Sequence, residues 1–288
     1  MQPAAEQAGA VGAGDQPTPE SPGPTVPIRP LSFRELLDEP FALIQANIVV
    51  LACSTVVGLI VAELIVVAIT ASSSHLTHGS DQGTRWAAIL STAACAWFLR
   101  FVLRGLTVAI GLASVAGSPI GWRTALRRTA TVGPPLLVFH LLFTLVGVSV
   151  LVLGSVLIIT FPLALLWLGY LRAQRFVAVP VMFVERASHA TAVARSKLLV
   201  AGAEWPTAGL WLCQRGLMVL LAVPLLGIPW YLSDFSGTHR WQVIVLTTSA
   251  VLLIVAFGEV VEAATRVVSY VDRRCRREGL DIRVPEAR

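Results

Sequence analysis

Five arginines lie where arginine is expensive, inside or at the edge of long apolar runs. Arg100 and Arg104, at i and i+4, share one helical face, and Arg172 and Arg175, at i and i+3, nearly do. Arg215 stands in a further run. A guanidinium taken out of water must face a carboxylate, trapped water or a lipid headgroup. The carboxylates in comparable surroundings are Glu63, Glu259 and Glu262, and Glu262 is spaced to pair with Arg266 at i and i+4. With Glu63, Glu259, Glu262 and Arg266 assigned to structural ion pairs, cations remain in surplus. The chemistry this pattern supports is anion binding. Arg100, Arg104, Arg172, Arg175 and Arg215 would line a cytoplasm-facing cavity that holds a phosphate-bearing lipid or another anion. Snorkelling of the long side chains, with ion pairs taking up the rest, is the plainer reading of the same residues and the one the sequence favours.

Other reactive residue types carry less. His140 is alone in an apolar run and reads as a satisfied histidine inside a bundle. His75 and His78, near Asp81, would need further convergent ligands to hold a metal. Cys53, Cys95, Cys213 and Cys275 fall in apolar runs or a basic tail, and none has metal-ligand or disulfide-frame spacing. Nucleophile-elbow, H-E-x-x-H and P-loop patterns are absent from the sequence. The expectation is a protein with no catalytic residue, no metal and no cofactor.

Of the 288 residues, 55% are hydrophobic and 14% charged, against roughly 25% charge in soluble domains. No single water-soluble core hides that much apolar sequence. The net charge of +5 does not indicate nucleic acid, because the cations cluster at the ends of apolar runs. The pattern predicts an all-α, polytopic transmembrane bundle of six spans, at about 48–70, 86–116, 134–154, 160–183, 206–226 and 241–262. Between Arg128 and Arg172 lie 43 uncharged residues; one helix of that length would be about 65 Å, twice the hydrocarbon thickness. This run must fold back near Gly154–Pro162, making spans three and four a tight hairpin.

Around the six-span domain, 31–270, the sequence places two tails. Residues 1–30 hold seven of the 17 prolines and no apolar run, and read as a disordered leader. Residues 271–288 read as a basic tail. The segments assigned to one side carry 14 Lys and Arg, those on the other side two. That asymmetry puts both termini in the cytoplasm of a bacterial plasma membrane, against an anionic inner leaflet.

Short amphipathic segments precede the odd-numbered spans: FRELLDEPFAL, GWRTALRRTATV and HATAVARSKLLV. They predict interfacial elbow helices, so that the chain reads as three units of elbow plus hairpin. Ser32 and Glu35 spell a capping box for the first elbow, which Pro40 should interrupt.

Two stretches resemble a known family. One is Tyr170-Leu171-Arg172-x-x-Arg175, Pro180 and Glu185, followed by Ala192-x-x-Arg195-Ser196, Leu199, Gly202 and Trp205; the other is the tail from Tyr270 through Asp272, Arg274, Glu278, Gly279 and Asp281. With the opening Arg29–Leu37, they look like polytopic membrane proteins, common in actinobacteria, labelled glycerophosphoryl diester phosphodiesterase membrane-domain-like. The resemblance implies a six-helix membrane domain, sometimes fused elsewhere to a soluble phosphodiesterase. No such domain is expected within these 288 residues, so hydrolysis is not expected. Lys197 and Pro206 depart from the family pattern, which bears on how the fourth cytoplasmic loop meets headgroups. The functional expectation is an envelope scaffold or accessory protein; the alternative is a transporter or lipid-handling protein that uses the arginine cavity. Membrane lipid is the expected partner.

Overall fold

Apolar runs separated by short basic segments fold into ten α-helices, with no strand among the described residues. The computed structural model describes residues 27–156, 158–236 and 240–279. Three short helices, α1 (Phe33–Ala46), α4 (Trp122–Thr131) and α8 (His189–Val200), each precede a helical pair. The pairs are α2 (Ile48–Leu76) with α3 (Asp81–Val115), α5 (Gly133–Ser155) with α6 (Phe161–Ala173), and α9 (Glu204–Ser236) with α10 (Arg240–Glu278). A further short helix, α7 (Ala178–Glu185), follows α6. The elbow-plus-hairpin order read from the sequence is therefore present three times. The tight turn of the long uncharged run falls between Ser155 and Phe161.

Five helices are long and apolar enough to cross a membrane: α2, α3, α5, α9 and α10. They point large apolar side chains outward; on α2 alone Val56, Val57, Ile60, Val61, Leu64 and Ile65 are exposed. That surface has a favourable solvent only in hydrocarbon. The central helix is α3, whose most apolar stretch is 67% buried within the protein, against 11% for α2. Two apolar clusters form the core. One joins α1, α5, α7, α8 and the later half of α10 through Leu43, Phe139, Phe176, Met182 and Val267. The other joins α2, α3 and α10 through Leu51, Val66, Leu99, Leu103 and Leu252. Helices α3 and α10 take part in both.

Three expectations need correction. The span expected at 160–183 is not one helix: α6 ends at Ala173 and α7 begins at Ala178. Pro180 has no N–H to return to the carbonyl of Phe176, so the helical ladder cannot pass through. The chain instead tightens into three-residue turns, with Arg175 N donating to Arg172 O and Phe176 N to Ala173 O. The apolar α7 is then swallowed by the core, with Ala178 to Met182 all buried.

Pro40, expected to interrupt the first elbow, lies inside α1. Leu36, Pro40 and Leu43 form its buried face, and that burial outweighs the one lost hydrogen bond. The capping box is present, with Ser32 N donating to Glu35 Oε2 at 2.7 Å and Glu35 N to Ser32 Oγ at 3.4 Å.

The basic tail expected from residue 271 begins as helix: Val271–Glu278 are the last two turns of α10. Asp272, fully buried, accepts from the backbone N of Leu31 at 2.8 Å and from Arg276 Nε at 2.9 Å. The start and the end of the described chain are thereby side by side. Asp281 lies outside the described residues.

Candidate functional site

The site is a layer of charge built mainly on α3 and α10. One turn of α3 presents Arg100 and Arg104 to a single carboxylate. Arg104 grips Glu259 with two bonds, Nε to Oε1 at 2.6 Å and Nη2 to Oε2 at 3.0 Å, and Arg100 Nε adds a third to Oε2 at 2.9 Å. This fork geometry is particular to arginine. The Glu259 side chain is completely buried and that of Arg104 nearly so, whereas the Arg100 side chain is 31% exposed.

One turn further along α10, Glu262 pairs with Arg215 from α9 and with Arg266 on its own helix. Arg266, fully buried, sends Nη1 to the carbonyl of Phe176 at 3.3 Å. That is the carbonyl which Pro180 leaves without a helical partner. A second carbonyl in the same break, that of Gln174, accepts from Ser196 Oγ on α8 at 3.0 Å. The helix break is held by side chains from two other helices.

His140, from α5, belongs to this layer. Its Nε2 faces the carbonyl of Trp97 at 3.1 Å and its Nδ1 faces Arg104 Nη1 at 3.2 Å. A carbonyl can only accept and a guanidinium can only donate, so these partners select the neutral tautomer with the proton on Nε2. The expected satisfied histidine is found, at a position where it orients Arg104.

Arg172 and Arg175 differ from the rest. Among the described residues neither is within ion-pair distance of a carboxylate. Arg172, at the end of α6, donates to the carbonyl of Phe143 at 3.2 Å and lies over the Phe143 ring with its Cζ 3.4 Å from the centroid. Gly147 makes room for it, because a Cβ there would stand 2.6 Å from Arg172 Nη2. The Phe143 ring is also approached by Arg266 at 5.5 Å and Arg104 at 6.0 Å, and Trp211 by Arg215 at 5.6 Å and Arg172 at 5.8 Å. Aromatic faces thus carry part of the cation surplus. Arg175 donates to the carbonyl of Leu171 at 3.1 Å.

Both arginines line a cavity of about 220 Å³ between α5, α6 and α8. Its other walls are Phe139, Leu142, Phe143, Val146, Leu168, Leu171, His189 and Val193. Burial, with the charge of Arg175 second, holds the His189 imidazole below its ordinary range. The layer as a whole sets five guanidiniums (Arg100, Arg104, Arg172, Arg215 and Arg266) against two carboxylates, and Arg175 adds a sixth cation at the cavity.

Glu63, expected in an ion pair, has none among the described residues. Its Oε1 meets Thr248 Oγ1 at 2.8 Å, while Oε2 is buried without a partner. Thr248 is eleven residues before Glu259 on α10, about 16 Å along the axis, so Glu63 lies at a different level from the arginines. His75 and His78 are exposed near the α2–α3 turn, and no group of metal-ligating side chains occurs among the described residues.

The residues of the family resemblance converge at the end of the bundle where α8 meets α10. Arg195 bridges Glu185, at 3.4 Å, and Glu278, which also holds Arg274 at 2.7 Å. Gly202 (φ +77°) and Gly279 (φ +62°) take left-handed turns after α8 and α10. The Trp205 ring packs on Tyr170 with centroids 5.4 Å apart. These contacts clamp helix ends together; Ser196 and Asp272 do the same for the helix break and for Leu31.

Compared with known proteins, the chain matches no family, no curated relative and no solved structure. The class the fold and site define is a helical protein with five membrane-competent helices and an arginine-rich buried layer.

Three participants were not legible as site residues: Phe143, Gly147 and His189. With His140, the first two fall at i, i+3 and i+7 on one face of α5. That face was the available signal.

Proposed function

We propose that this chain is a six-crossing protein of the bacterial plasma membrane that binds a phosphate-bearing anion in its arginine layer. The observation that carries the reading is the cavity lined by Arg172 and Arg175, two cations without a carboxylate partner among the described residues. Backbone carbonyls, and for Arg172 an aromatic face, satisfy part of each guanidinium but leave its charge without a counter-ion among the described residues, and an anionic ligand would supply it. The pairing of Leu31 with Asp272 supports an even number of crossings, and in this reading α6 and its break supply the sixth. The arginine asymmetry of the loops favours cytoplasmic termini. The envelope-scaffold reading rests on the leader and the extreme tail, outside the described residues, whereas the cavity favours the lipid-handling reading. The proposed activity is binding, for retention or transfer of the ligand, without hydrolysis.

The test is ligand binding by the purified full chain in neutral detergent. Inorganic phosphate and an anionic phospholipid are each titrated, with heat unfolding as the readout. Wild type should be stabilised by at least one of them, and R172Q/R175Q, folded but lacking both cations, by neither. Equal stabilisation of the variant and the wild type would overturn the reading.

A further inference from the structure

We infer that the ligand of this cavity is an amphiphile, a lipid bearing a phosphate monoester, which enters sideways from the leaflet rather than from water. The inference rests on the proposed anion binding and adds what kind of molecule carries the anion.

The cavity sets two guanidiniums and an imidazole in an otherwise apolar wall. Arg175 and His189 lie beside the α8 elbow, and the Arg172 guanidinium reaches further along α5, to the Phe143 carbonyl and Gly147. Leu142, Val146 and Leu168 are among the apolar residues that make up the remaining wall. Along α5, Val146 is seven residues past Phe139, about 10 Å deeper into the bundle. Leu142 and Val146, which line the cavity, are 42% and 41% exposed, so the cavity has an apolar flank toward the side of the bundle. In a membrane that side is hydrocarbon. A soluble anion has no use for such a flank, whereas an acyl chain lies along it with its headgroup between the two guanidiniums.

Size and charge narrow the headgroup. About 220 Å³ is below the roughly 300–1,000 Å³ of sites that enclose whole small molecules, so a compact group fits and a nucleotide does not. Two guanidiniums without carboxylates match the charge of a phosphate monoester, about −1.5 to −2 at neutral pH with three acceptor oxygens. A diester, with one charge, leaves one cation uncompensated.

The experiment uses the full chain in nanodiscs of phosphatidylcholine doped with phosphatidic acid or phosphatidylglycerol, and in detergent with inorganic phosphate. Phosphatidic acid should bind at least about tenfold tighter than phosphatidylglycerol, the equivalent of one charge-assisted hydrogen bond. V146W and L142W fill the apolar flank at exposed positions that tolerate a larger side chain. Each should weaken phosphatidic acid by about tenfold or more, a larger factor than the same variant shows for inorganic phosphate. Phosphate binding without a preference for phosphatidic acid, or tryptophan variants that bind the lipid like wild type, would overturn the amphiphile and leave the anion reading standing. Loss of all binding in wild type would overturn both.

Discussion

Replacing Glu259 with Gln keeps the shape of the side chain and removes the charge that three arginine donors share. The carboxylate is fully buried and accepts from Arg104 twice and from Arg100 once, at 2.6 to 3.0 Å. In E259Q, Arg104 keeps neutral partners, the amide oxygen and His140, but no counter-charge, and it cannot reach solvent, because its side chain is 1% exposed. Leaving one member of a buried pair uncompensated costs about 3–5 kcal/mol. At about 2–4 °C per kcal/mol for a large domain, the unfolding midpoint should fall by about 6–20 °C. Heat unfolding of the purified protein in one detergent, followed by near-ultraviolet circular dichroism, reads the shift. Removing both partners should recover at least half the loss in R104M/E259L, since no buried charge is then stranded and Arg100 is exposed enough to reach headgroups. Anion affinity moves the opposite way in E259Q, upward, because a negative charge has left the layer. A midpoint within 2 °C of wild type, or a double variant no more stable than E259Q, would refute the account of the layer as a paired, desolvated network.

Gly147 and Gly154 should behave differently although both face α6. A Cβ at 147 meets the mobile tip of Arg172, so G147A should cost little stability yet weaken anion binding several-fold in the titration above. A Cβ at 154 meets the Cβ of Ala164, which cannot swing away; G154A should cost about 1–3 kcal/mol of overpacking and unfold earlier on heating. The Glu35 carboxyl is lowered to about 2 from 4.5, first by the Ser32 backbone N–H and then by Arg29. A depressed acid stabilises above its unfolded value and loses that contribution as pH falls toward 2, so the first turn of α1 should lose amide protection between pH 4.5 and 2. Unchanged hydrogen exchange at Leu36 over that window would count against the capping box. D272A strands the Leu31 N–H and leaves Arg276 only its bond to the Leu31 carbonyl; the backbone at Leu31 should lose amide protection while the remaining helices stay protected.

Helix type and order were legible because each elbow announces itself locally. Ser32 and Glu35 cap α1, and the basic face of WRTALRRTAT marks α4. The hairpin turn was forced by length alone, since no bilayer holds a 65 Å apolar helix. The break after α6 was not read, although its cause, Pro180, stood in plain sight. An apolar run with a proline near one end fits a continuous span, and only the partner of the freed Phe176 carbonyl, Arg266, distinguishes a buried break from a kink. The site was half legible. Arg100, Arg104, Arg172 and Arg215 do share one layer, because intramembrane cost confines them to a few arrangements. Their partners were not assignable, because which carboxylate meets which arginine depends on the register between α3, α9 and α10. Glu63 shows this: it is as apolar in context as Glu259, yet about 16 Å away along the bundle axis.

The bond between Leu31 and Asp272 also has a meaning in time. Its two ends are 241 residues apart, so during synthesis the first elbow is made long before the helix end that receives it. At roughly 5–20 residues per second, that interval is about 12–50 s. Through it α1 lacks the helix it packs against most, and its docking is completed only when α10 is nearly finished. A ribosome that stops early therefore leaves an incompletely docked first elbow, a visible mark by which an unfinished chain differs from a finished one.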